Sequence, residues 1–401
     1  MSGRDDVGAG ERAVPRRRIL LLTRNFPPAV GGIQRYLHEI VGQLVGEFDV
    51  AVVGPNGCAA YAGGAVDVRE SSLQPVPLFL AASLLKGLAL ARRFKPDLVI
   101  AGSGLMAPLA LAIGRATGAR VAVFVYGLDI VVDSVLYQRL WLPAIRACDV
   151  VIPISQRTRA LALQKRVEAS RLGSIIHPGT DAVVADAAAG AAFRAAHAIG
   201  DRRLLLSVGR LVPRKGLLEF VDRSLPAIVA VEPNVLLVVI GGEADDSLAG
   251  GAGGVGARAM QIAERAGIAR HLRLLGQVSD DVLAGAWNAA DVHVFPIREL
   301  PGDVEGFGIV CIEAAAHGVP TVAFASGGVV DAVAPGRSGT LVKADDYVAL
   351  SAAVIDALRG SSTEPAAKAR ARSFAAEFSW DAIGVRLRAL VGQALQRAQA
   401  R

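Results

Sequence analysis

The stretch RILLLTRNFPPAVGGIQRYLHEIVGQLV, residues 18–45, contains the unit from which the fold can be derived. Its first part, Arg18–Thr23, is a continuous apolar run rather than an alternating one, which is typical of a strand buried on both faces of a parallel sheet. A loop with two prolines and two glycines follows, and the pattern from Arg35 to Val45 predicts a helix. A buried strand, a tight loop and a helix form the repeating unit of a doubly wound α/β sheet.

The same unit recurs along the whole chain, which predicts two doubly wound, Rossmann-like domains of the α/β class. The strands predicted in the first half are Arg18–Thr23, Asp49–Gly54, Asp97–Ser103, Arg120–Tyr126, Asp149–Ser155 and Ser174–His177. Those predicted in the second half are Arg203–Val208, Asn234–Gly241, Leu272–Gly276, Asp291–Pro296, Thr321–Phe324 and Thr340–Val342. The predicted closing helices are Asp346–Arg359 and Ala366–Arg397.

Length also favours two domains, because 401 residues exceed one ordinary core. The alanine-rich segment Ala182–Ala192 has no strand pattern, so the boundary is placed there. We predict one domain at residues 1–190, a second domain at 191–375, and a closing helix at 376–401.

Composition and cysteine content predict a cytoplasmic protein. The segment before Ile19 is polar and basic rather than a secretory signal, and the most apolar segment, Val76–Ala91, is interrupted by Lys86. The three cysteines form no metal-binding or disulfide pattern and are predicted to be free thiols in a reducing compartment: Cys58, Cys148 and Cys311.

The positive charge is unevenly distributed. Residues 1–190 contain 21 Lys and Arg against 15 Asp and Glu, whereas residues 191–401 contain 22 of each class. This asymmetry favours an anionic partner for the first half, either phosphates or the inner face of a membrane, although a solvated basic face gives the same count. No nucleic-acid partner is predicted.

The loop after the first strand, Asn25–Gln34, suits an anionic ligand. Gly31 and Gly32 allow backbone amides to approach a ligand at the positive end of the following helix. The alternative is a helix entry that only needs a turn, and the loop by itself does not decide between the two.

A second loop, Ser207–Gly216, also leaves a predicted strand at its carboxyl end, where open α/β sheets bind ligands. Gly209 begins the loop. Arg210 offers a planar guanidinium and Lys215 a compact charge, a suitable pair for a diphosphate. Arg214 is predicted to lie in solvent.

The most informative segment is DVEGFGIVCIEA, residues 303–314. Glu305 lies in a glycine-containing loop, and Glu313 falls two turns into the helix predicted after it. Amides from Gly306 to Ile309 would point from a helix start toward an anion, while two carboxylates can accept from sugar hydroxyls. The alternative is a capping acid and a surface charge. Glu313 stands in an apolar setting where an unpaired acid is costly, which disfavours that alternative.

One apparent motif is rejected. Gly251–Gly256 satisfies the dinucleotide-binding pattern GxGxxG, but it begins about ten residues after a strand rather than at its exit. It is predicted to be a flexible loop before a helix at Ala257–Ala266. The acidic pairs are predicted to be loop and cap residues rather than metal ligands: Asp245/Asp246, Asp280/Asp281 and Asp345/Asp346.

Together these segments resemble glycosyltransferase family 4, the retaining transferases of the GT-B fold. The resemblance rests on Phe26–Gln34, on Gly209–Gly216, on Gly276–Pro296 and on the Glu305/Glu313 segment through Pro320. The motifs at Phe26–Gln34 and at the Glu305/Glu313 segment are similar to those of bacterial phosphatidylinositol-mannoside mannosyltransferases and of transferases of O-antigen and exopolysaccharide assembly. The resemblance implies two domains that face a mobile cleft. Residues 1–190 would bind the acceptor, residues 191–375 would bind the nucleotide sugar, and the helix at 376–401 would return toward the first domain.

The resemblance also implies roles for particular residues. Arg210 and Lys215 would hold the donor diphosphate, Glu305 the donor sugar and Glu313 the nucleotide ribose. The other residues implied at the donor are Gly31, Gly32, Gly209, Gln277, Gly306, Phe307, Gly308 and Ile309. Gln34, Tyr126 and Asp129 would face the acceptor, with Asp129 also a catalytic candidate.

The chain departs from the family at Tyr126-Gly127-Leu128-Asp129, where many members carry a histidine at the first position. A tyrosine can donate a hydrogen bond but is a poor base near neutral pH. Either Tyr126 or Asp129 could replace the histidine, and Asp129 could equally be a helix cap.

We therefore predict a metal-independent retaining hexosyltransferase without a cofactor. The favoured donor is GDP-mannose, the acceptor is lipid-linked or a glycan, and a UDP-sugar donor is the alternative. A nicotinamide-dependent oxidoreductase would need a glycine fingerprint at a strand exit, which the first strand lacks. A non-catalytic nucleotide-sugar-binding protein is disfavoured by the intact Arg210, Lys215, Glu305 and Glu313.

Overall fold

The computed structural model describes residues 16–243, 254–360 and 364–396. Within these ranges the chain forms two six-stranded sheets in which every pair of neighbours is parallel. The first sheet contains β1 (Arg18–Leu22), β2 (Asp49–Pro55), β3 (Asp67–Ser71), β4 (Leu98–Ala101), β5 (Arg120–Val125) and β6 (Val150–Pro153). The second contains β7 (Arg203–Val208), β8 (Val235–Ile240), β9 (Leu272–Gly276), β10 (Val292–Phe295), β11 (Thr321–Phe324) and β12 (Gly339–Val342).

The two sheets have related strand orders, β3-β2-β1-β4-β5-β6 and β12-β11-β10-β7-β8-β9. In each, the order reverses beside the first strand of its half, and ligands bind at such a switch point in open α/β sheets. The predicted fold class is confirmed by this topology and by the structural neighbours described below.

Eleven of the twelve predicted strands form, and one prediction was wrong. The segment predicted at Ser174–His177 is not a strand; it runs past the end of β6, where the Ile176 amide bonds to the Pro153 carbonyl. The sixth strand of the first sheet is instead β3, at an edge. Its sequence DVRES is mostly polar and half-buried, so it lacks the apolar run that marks a central strand.

Helices connect the strands and cover both sheets. Those of the first half are α1 (Gly32–Val45), α2 (Val76–Phe94), α3 (Ala107–Thr117), α4 (Leu128–Val131), α5 (Val135–Ala147) and α6 (Gln156–Gln164). Those of the second half are α7 (Ala187–Ala196), α8 (Leu217–Arg223), α9 (Leu225–Val231), α10 (Val255–Arg265), α11 (Asp280–Ala289), α12 (Ile309–Ala316), α13 (Val329–Ala332), α14 (Tyr347–Arg359), α15 (Pro365–Ala376) and α16 (Trp380–Gln396). None of the described helices has the length and apolar sequence needed to cross a bilayer.

The chain crosses between the sheets twice. Between β6 and α7 it passes from the first sheet to the second, and the Asp186 amide donates to the Asn288 side chain of α11 at 3.0 Å. After α15 it crosses back, and Arg388 of α16 donates to the Gln43 carbonyl of α1 at 3.1 Å. The last helix therefore packs on the first half of the chain.

The single closing helix predicted at Ala366–Arg397 was wrong, because it is two helices with a break at Glu377–Ser379. At this break the Thr180 amide donates to the Phe378 carbonyl, which ties the two crossing segments together. Ser379 then accepts from the Ala382 amide at the start of α16. Serine at a helix start offers the backbone a partner that a continuous helix would not use.

The rejected glycine motif lies partly outside the described residues. Gly254 and the residues after it begin α10 two positions earlier than predicted. The Glu243 carboxylate accepts from the amides of Val255 and Gly256 at 3.1 and 2.7 Å. This helix start is therefore satisfied by an acid of the chain itself.

Candidate functional site

Glu305 lies between two cations of the loop that follows β7. Lys215 Nζ donates to Glu305 Oε2 at 2.8 Å, and Arg214 Nε lies 3.4 Å from the same oxygen. Burial by itself would raise the pKa of Glu305, but the charges of Lys215 and Arg214 outweigh it and hold that pKa below its ordinary value. Glu305 is therefore a buried but ionised carboxylate.

Arg214 was predicted to be solvated, and this was wrong. Its side chain is only 14% exposed, because Asp303 and Glu305 fold back over it. Arg210 is the exposed cation of this loop. Within the part of the chain that the structure describes, its guanidinium has no ion-pair partner, although its charge contributes to the lowered pKa of Glu305. Arg210 thus leaves its five donors available to an anion.

Lys215 occupies a fixed position at the switch point of the second sheet. Its ammonium lies 4.5 Å from the centre of the Phe295 ring at the end of β10. Behind it, burial and the charge of Lys215 lower the pKa of His293 to about 3, so this histidine stays neutral. His293 therefore adds no second positive charge behind the ammonium.

Helices α1 and α12 both begin at the cleft, and their first backbone amides have no partner among the described residues. The amides of Gly308, Ile309 and Val310 at the start of α12 have no acceptor among the described residues, and neither do those of Gly31 to Gln34 at the start of α1. The two starts face each other across the cleft, since a methyl group on Gly32 would lie 3.2 Å from Ile309 Cδ1. An anion between them would meet two positive helix ends.

Glu313 lies one turn into α12 rather than two, and it contacts the first half of the chain. Its Oε1 accepts from Arg35 of α1 at 3.1 Å, and its side chain is 18% exposed. Arg35 also pairs with Asp181 of the segment between the sheets. Burial raises the pKa of Glu313, and Arg35 opposes that rise.

Glycine lets the Glu305 loop touch the first sheet. A methyl group on Gly306 would overlap the Tyr126 carbonyl oxygen at the end of β5. On the other side the Gly328 amide donates to the Glu305 carbonyl at 2.9 Å. Phe307 is buried between the two halves, 5.3 Å from the His177 ring, so only its backbone could meet a donor.

Tyr126 does not present its hydroxyl to the cleft. The side chain is 8% exposed, and the hydroxyl donates to the Gly102 carbonyl at 2.9 Å beneath the sheet edge. Its ring packs edge-on against Tyr36. The expectation that this hydroxyl orients a sugar or acceptor is therefore wrong for this conformation, because the hydroxyl already has a buried partner.

Asp129 joins two loops at the end of the first sheet. Its Oδ1 accepts from the amides of Tyr126 and Gly127 at 2.9 and 3.0 Å, and its Oδ2 accepts from the Gly104 amide at 3.1 Å. Burial raises its pKa, and the three amides oppose that rise. The geometry favours the cap alternative over a carboxylate that is free to accept a proton from an acceptor.

The remaining predicted residues lie around the same cleft. Gln34 folds its amide back over Gly31, which leaves it beside the glycine loop. Gly209 approaches the Lys215 side chain and donates its amide to the Ile240 carbonyl. Gln277 is exposed after β9, beside Gly242. The described residues contain no cluster of His, Cys, Asp and Glu that could hold a metal ion.

Two family models cover most of the chain. The model described as Glycosyltransferase Family 4 matches residues 30–183, and the model described as Glycosyl transferases group 1 matches residues 191–374. A mannosyltransferase of Mycolicibacterium smegmatis is 31% identical over 398 residues, which cover 95% of this chain and all of the relative. The chain belongs to glycosyltransferase family 4.

The relatives of this family 4 glycosyltransferase carry informative names. The M. smegmatis protein is a GDP-mannose-dependent alpha-(1-6)-phosphatidylinositol monomannoside mannosyltransferase. A protein of the same name from Mycobacterium tuberculosis is 32% identical over 388 residues, covering 92% of this chain and 97% of the relative. Predictions of the family and of a sugar-transferring enzyme are thereby confirmed.

Solved structures support the GT-B fold. The Anabaena protein HepE, in complex with UDP and glucose, aligns with a TM-score of 0.78 at 18% identity, covering 94% of this chain and 100% of that one. Sucrose-phosphate synthase from Thermosynechococcus elongatus aligns with a TM-score of 0.74 at 22% identity, covering 96% and 100%. At these identities the likeness concerns the fold alone.

Sequence reasoning missed several residues that join the two halves of this glycosyltransferase. Asp331 of α13 accepts from the Gln156 amide at 2.6 Å, and its Oδ2 lies 3.2 Å from His177 Nε2. Arg35 was treated only as part of a helix. No local motif marks these positions, since each acquires its partner from a segment at least 146 residues away.

Proposed function

We propose that this family 4 enzyme transfers mannose from GDP-mannose to a lipid-linked acceptor, with retention of configuration at the anomeric carbon. The observation that carries the proposal is the 31% identity, over nearly the full length of both chains, with a GDP-mannose-dependent mannosyltransferase that acts on a phosphatidylinositol mannoside. The ion-paired Glu305 and the two free helix starts supply a site suited to a diphosphate sugar.

The proposed transfer breaks the bond between the anomeric carbon and the β-phosphate oxygen. A new bond forms between the same carbon and an acceptor oxygen, and the acceptor proton passes to the leaving phosphate. Negative charge develops on that phosphate, where Arg210, Lys215 and the amides of α12 would stabilise it without reorganisation. No metal ion is then required, and neither Tyr126 nor Asp129 need act as a base.

We further propose that residues 191–375 bind the donor, that residues 1–190 bind the acceptor, and that residues 376–401 close back on the first domain. Glu305 would then orient the sugar, because its carboxylate is held by cations within hydrogen-bond reach of the cleft. The glycine loop of α1 would contact the phosphates from the acceptor side, since Gly32 already approaches Ile309.

A lipid acceptor requires contact with a membrane surface, and two helices on one face of the first sheet support such a contact. α2 exposes Leu78 and Leu85 at 60% and 69%, and the exposed Arg92 follows two turns further along the helix. α5 exposes Leu136 and Leu140 at 62% and 56%, on either side of Arg139. Both helices pack on α3, and all three contribute to the same core cluster beneath the first sheet. Apolar residues between cations suit an interface with anionic lipid.

The direct test is nucleotide release from a panel of donors, with and without membrane lipid extract. We expect GDP release from GDP-mannose, dependent on the lipid, and an α-linked mannolipid identified by NMR. Release from a UDP-sugar alone would replace the donor assignment. A β-linked product would contradict retention, and tight nucleotide-sugar binding without any release would indicate the non-catalytic alternative.

A further inference from the structure

Arg35 connects three segments that are distant in the sequence. It lies in the first turn of α1, directly after the glycine loop, and its guanidinium contacts Glu313 of α12 and Asp181 of the connecting segment. The contact with Glu313 spans 278 positions of the chain. It joins α1, the first helix of the chain, to α12, the helix that carries Glu313.

The surroundings of Glu313 make this contact consequential. Its side chain is largely buried, and the charges that face it are Arg35 from α1, Asp181 from the connecting segment and Asp280 from α11. Two of these three are acids, so Arg35 is the cation that compensates the carboxylate. Burial and the two acids raise the pKa of Glu313, and Arg35 is the cause that lowers it.

The geometry leaves part of the carboxylate free. Arg35 occupies Glu313 Oε1, and no described residue donates to Oε2. A carboxylate oxygen can accept from a hydroxyl group, so a ligand can share Glu313 with Arg35 rather than displace it.

We propose that Arg35 is a positioning residue for the nucleotide ribose: it holds Glu313 by Oε1 and leaves Oε2 to accept from a ribose hydroxyl. This inference rests on the proposed nucleotide-sugar donor and on the ribose role that the family resemblance implies for Glu313. The same turn of α1 then supplies amides for the phosphates and a cation for the ribose-binding acid.

The test is nucleotide binding by Arg35→Gln, measured by calorimetry with GDP and with 2′,3′-dideoxy-GDP. Arg388→Gln is the matched control, because Arg388 also contacts α1 but at Gln43, away from the cleft. We expect Arg35→Gln to weaken GDP by about tenfold, a loss typical of a charge-assisted contact, while dideoxy-GDP changes by less than about twofold. Glu313→Gln should weaken GDP binding by the same factor as Arg35→Gln. The double variant should bind GDP no more weakly than either single variant.

The kinetics should follow the same pattern. The donor KM of Arg35→Gln should rise while kcat changes little, and KM should begin to rise at a higher pH than in the wild type. The sign follows from the charges: without Arg35 the pKa of Glu313 rises, so the carboxylate protonates earlier as pH falls.

Two results would overturn the inference: equal weakening of GDP and dideoxy-GDP, which would mean that Arg35 acts on the phosphates or on the fold, and unchanged binding of both. Unfolding of the variant is detected by its melting temperature, and Asp181→Asn then serves as the second variant. That change removes the competing acid, so GDP binding should be retained and the acid limb of KM should move to lower pH; the opposite shift would contradict the proposal. If the donor assignment fails and UDP is released instead, UDP and dideoxy-UDP replace the guanine nucleotides and the inference is tested unchanged.

Discussion

The chemistry of the site depends on how individual charges are paired. Lys215 and Arg214 share one oxygen of Glu305, so the acid remains ionised although it is buried. Arg210 has no such partner among the described residues and lies exposed at the same strand exit. The loop therefore pairs two of its cations with the acid and leaves the third, which we propose contacts the donor phosphates, exposed.

Substitution in this loop separates those tasks. Arg210→Ala and Lys215→Ala should each lower kcat/KM for the donor. The expected loss of transition-state stabilisation is about 2–4 kcal/mol, because each change removes positive charge from the place where the leaving phosphate develops negative charge. Steady-state kinetics with one donor measures the loss. Small and equal effects at both positions would remove the diphosphate assignment.

Arg214→Ala should act through Glu305. Removing a neighbouring cation raises the pKa of that acid, so the acid limb of the profile of kcat/KM against pH should move to higher pH. At pH 8, where Glu305 is ionised in either protein, the two rates should differ less than at pH 5. A profile that is scaled down equally at every pH would show that Arg214 contacts the substrate directly.

Tyr126→Phe tests the position where the chain departs from its family. The hydroxyl is bonded to the Gly102 carbonyl, so its loss should cost about 0.5–1.5 kcal/mol of unfolding free energy and leave turnover nearly unchanged. Glu305→Gln is the comparison: it should lose most of its turnover, and it should also lose stability because Lys215 and Arg214 are left without their carboxylate. Denaturant unfolding and donor kinetics give both quantities, and a rate defect in Tyr126→Phe equal to that of Glu305→Gln would make the tyrosine a catalytic residue.

The geometry of the cleft depends on where two helices begin and on how closely the Glu305 loop approaches the first sheet. The starts of α1 and α12 come from different sheets and face each other with unpaired amides. Between them the Glu305 loop fits against β5 only because Gly306 carries no side chain. The site is therefore complete only when both sheets contribute.

Gly306→Ala should disturb that approach. The added methyl group overlaps the Tyr126 carbonyl oxygen, a backbone atom that cannot rotate away. We therefore expect the free energy of unfolding to fall by about 1–3 kcal/mol, measured as a lower melting temperature, or the donor turnover to fall if the loop shifts instead. Gly42→Ala in α1 is the control, since its methyl group meets open space and alanine favours a helix. Equal behaviour of the two variants would show that the halves do not meet in this way in solution.

Helix amides and cations also lead to a prediction about metal ions. On the proposed mechanism these groups stabilise the leaving diphosphate without a metal ion, so excess chelator should leave the transfer rate nearly unchanged. The measurement compares rates with chelator, with added magnesium and with added manganese. Abolition by chelator and rescue by a divalent cation would contradict the phosphate site as described.

At the scale of the whole molecule, the two sheets are joined by contacts that neither half could form alone. Arg35 with Glu313, His177 with Asp331 and Phe307 with His177 all cross between them. α16 then packs on α1 behind the cleft. The outer face formed by α2, α3 and α5 is where we propose that the protein contacts lipid.

The exposed leucines of α2 and α5 lead to a prediction about vesicle binding. Co-sedimentation should increase with the anionic lipid fraction and decrease with salt, and Leu85→Ser with Leu136→Ser should lower the partition coefficient by about tenfold or more. Val348→Ser is the control, because Val348 is 83% exposed but belongs to the second half. Binding that is indifferent to both lipid charge and these leucines would favour a water-soluble acceptor.

The sequence by itself determined the class of fold and the chemistry of the donor loops. Continuous apolar strands such as Val235–Ile240 and glycine-containing strand exits are local properties, so they can be recognised without a structure. The edge strand β3 escaped recognition because it is only half-buried. The break before α16 escaped because its contact with Thr180 comes from a segment that is distant in the sequence.

Only the tertiary structure decided which charges meet. Arg214 and Arg210 are alike in sequence, yet one is covered by Glu305 and the other is exposed. The Tyr126 hydroxyl turns inward because a carbonyl of β4's loop is within reach, and Arg35 finds Glu313 because two sheets close on each other. Pairing of this kind depends on distance in space across separate domains, and no periodicity or spacing along the chain contains it.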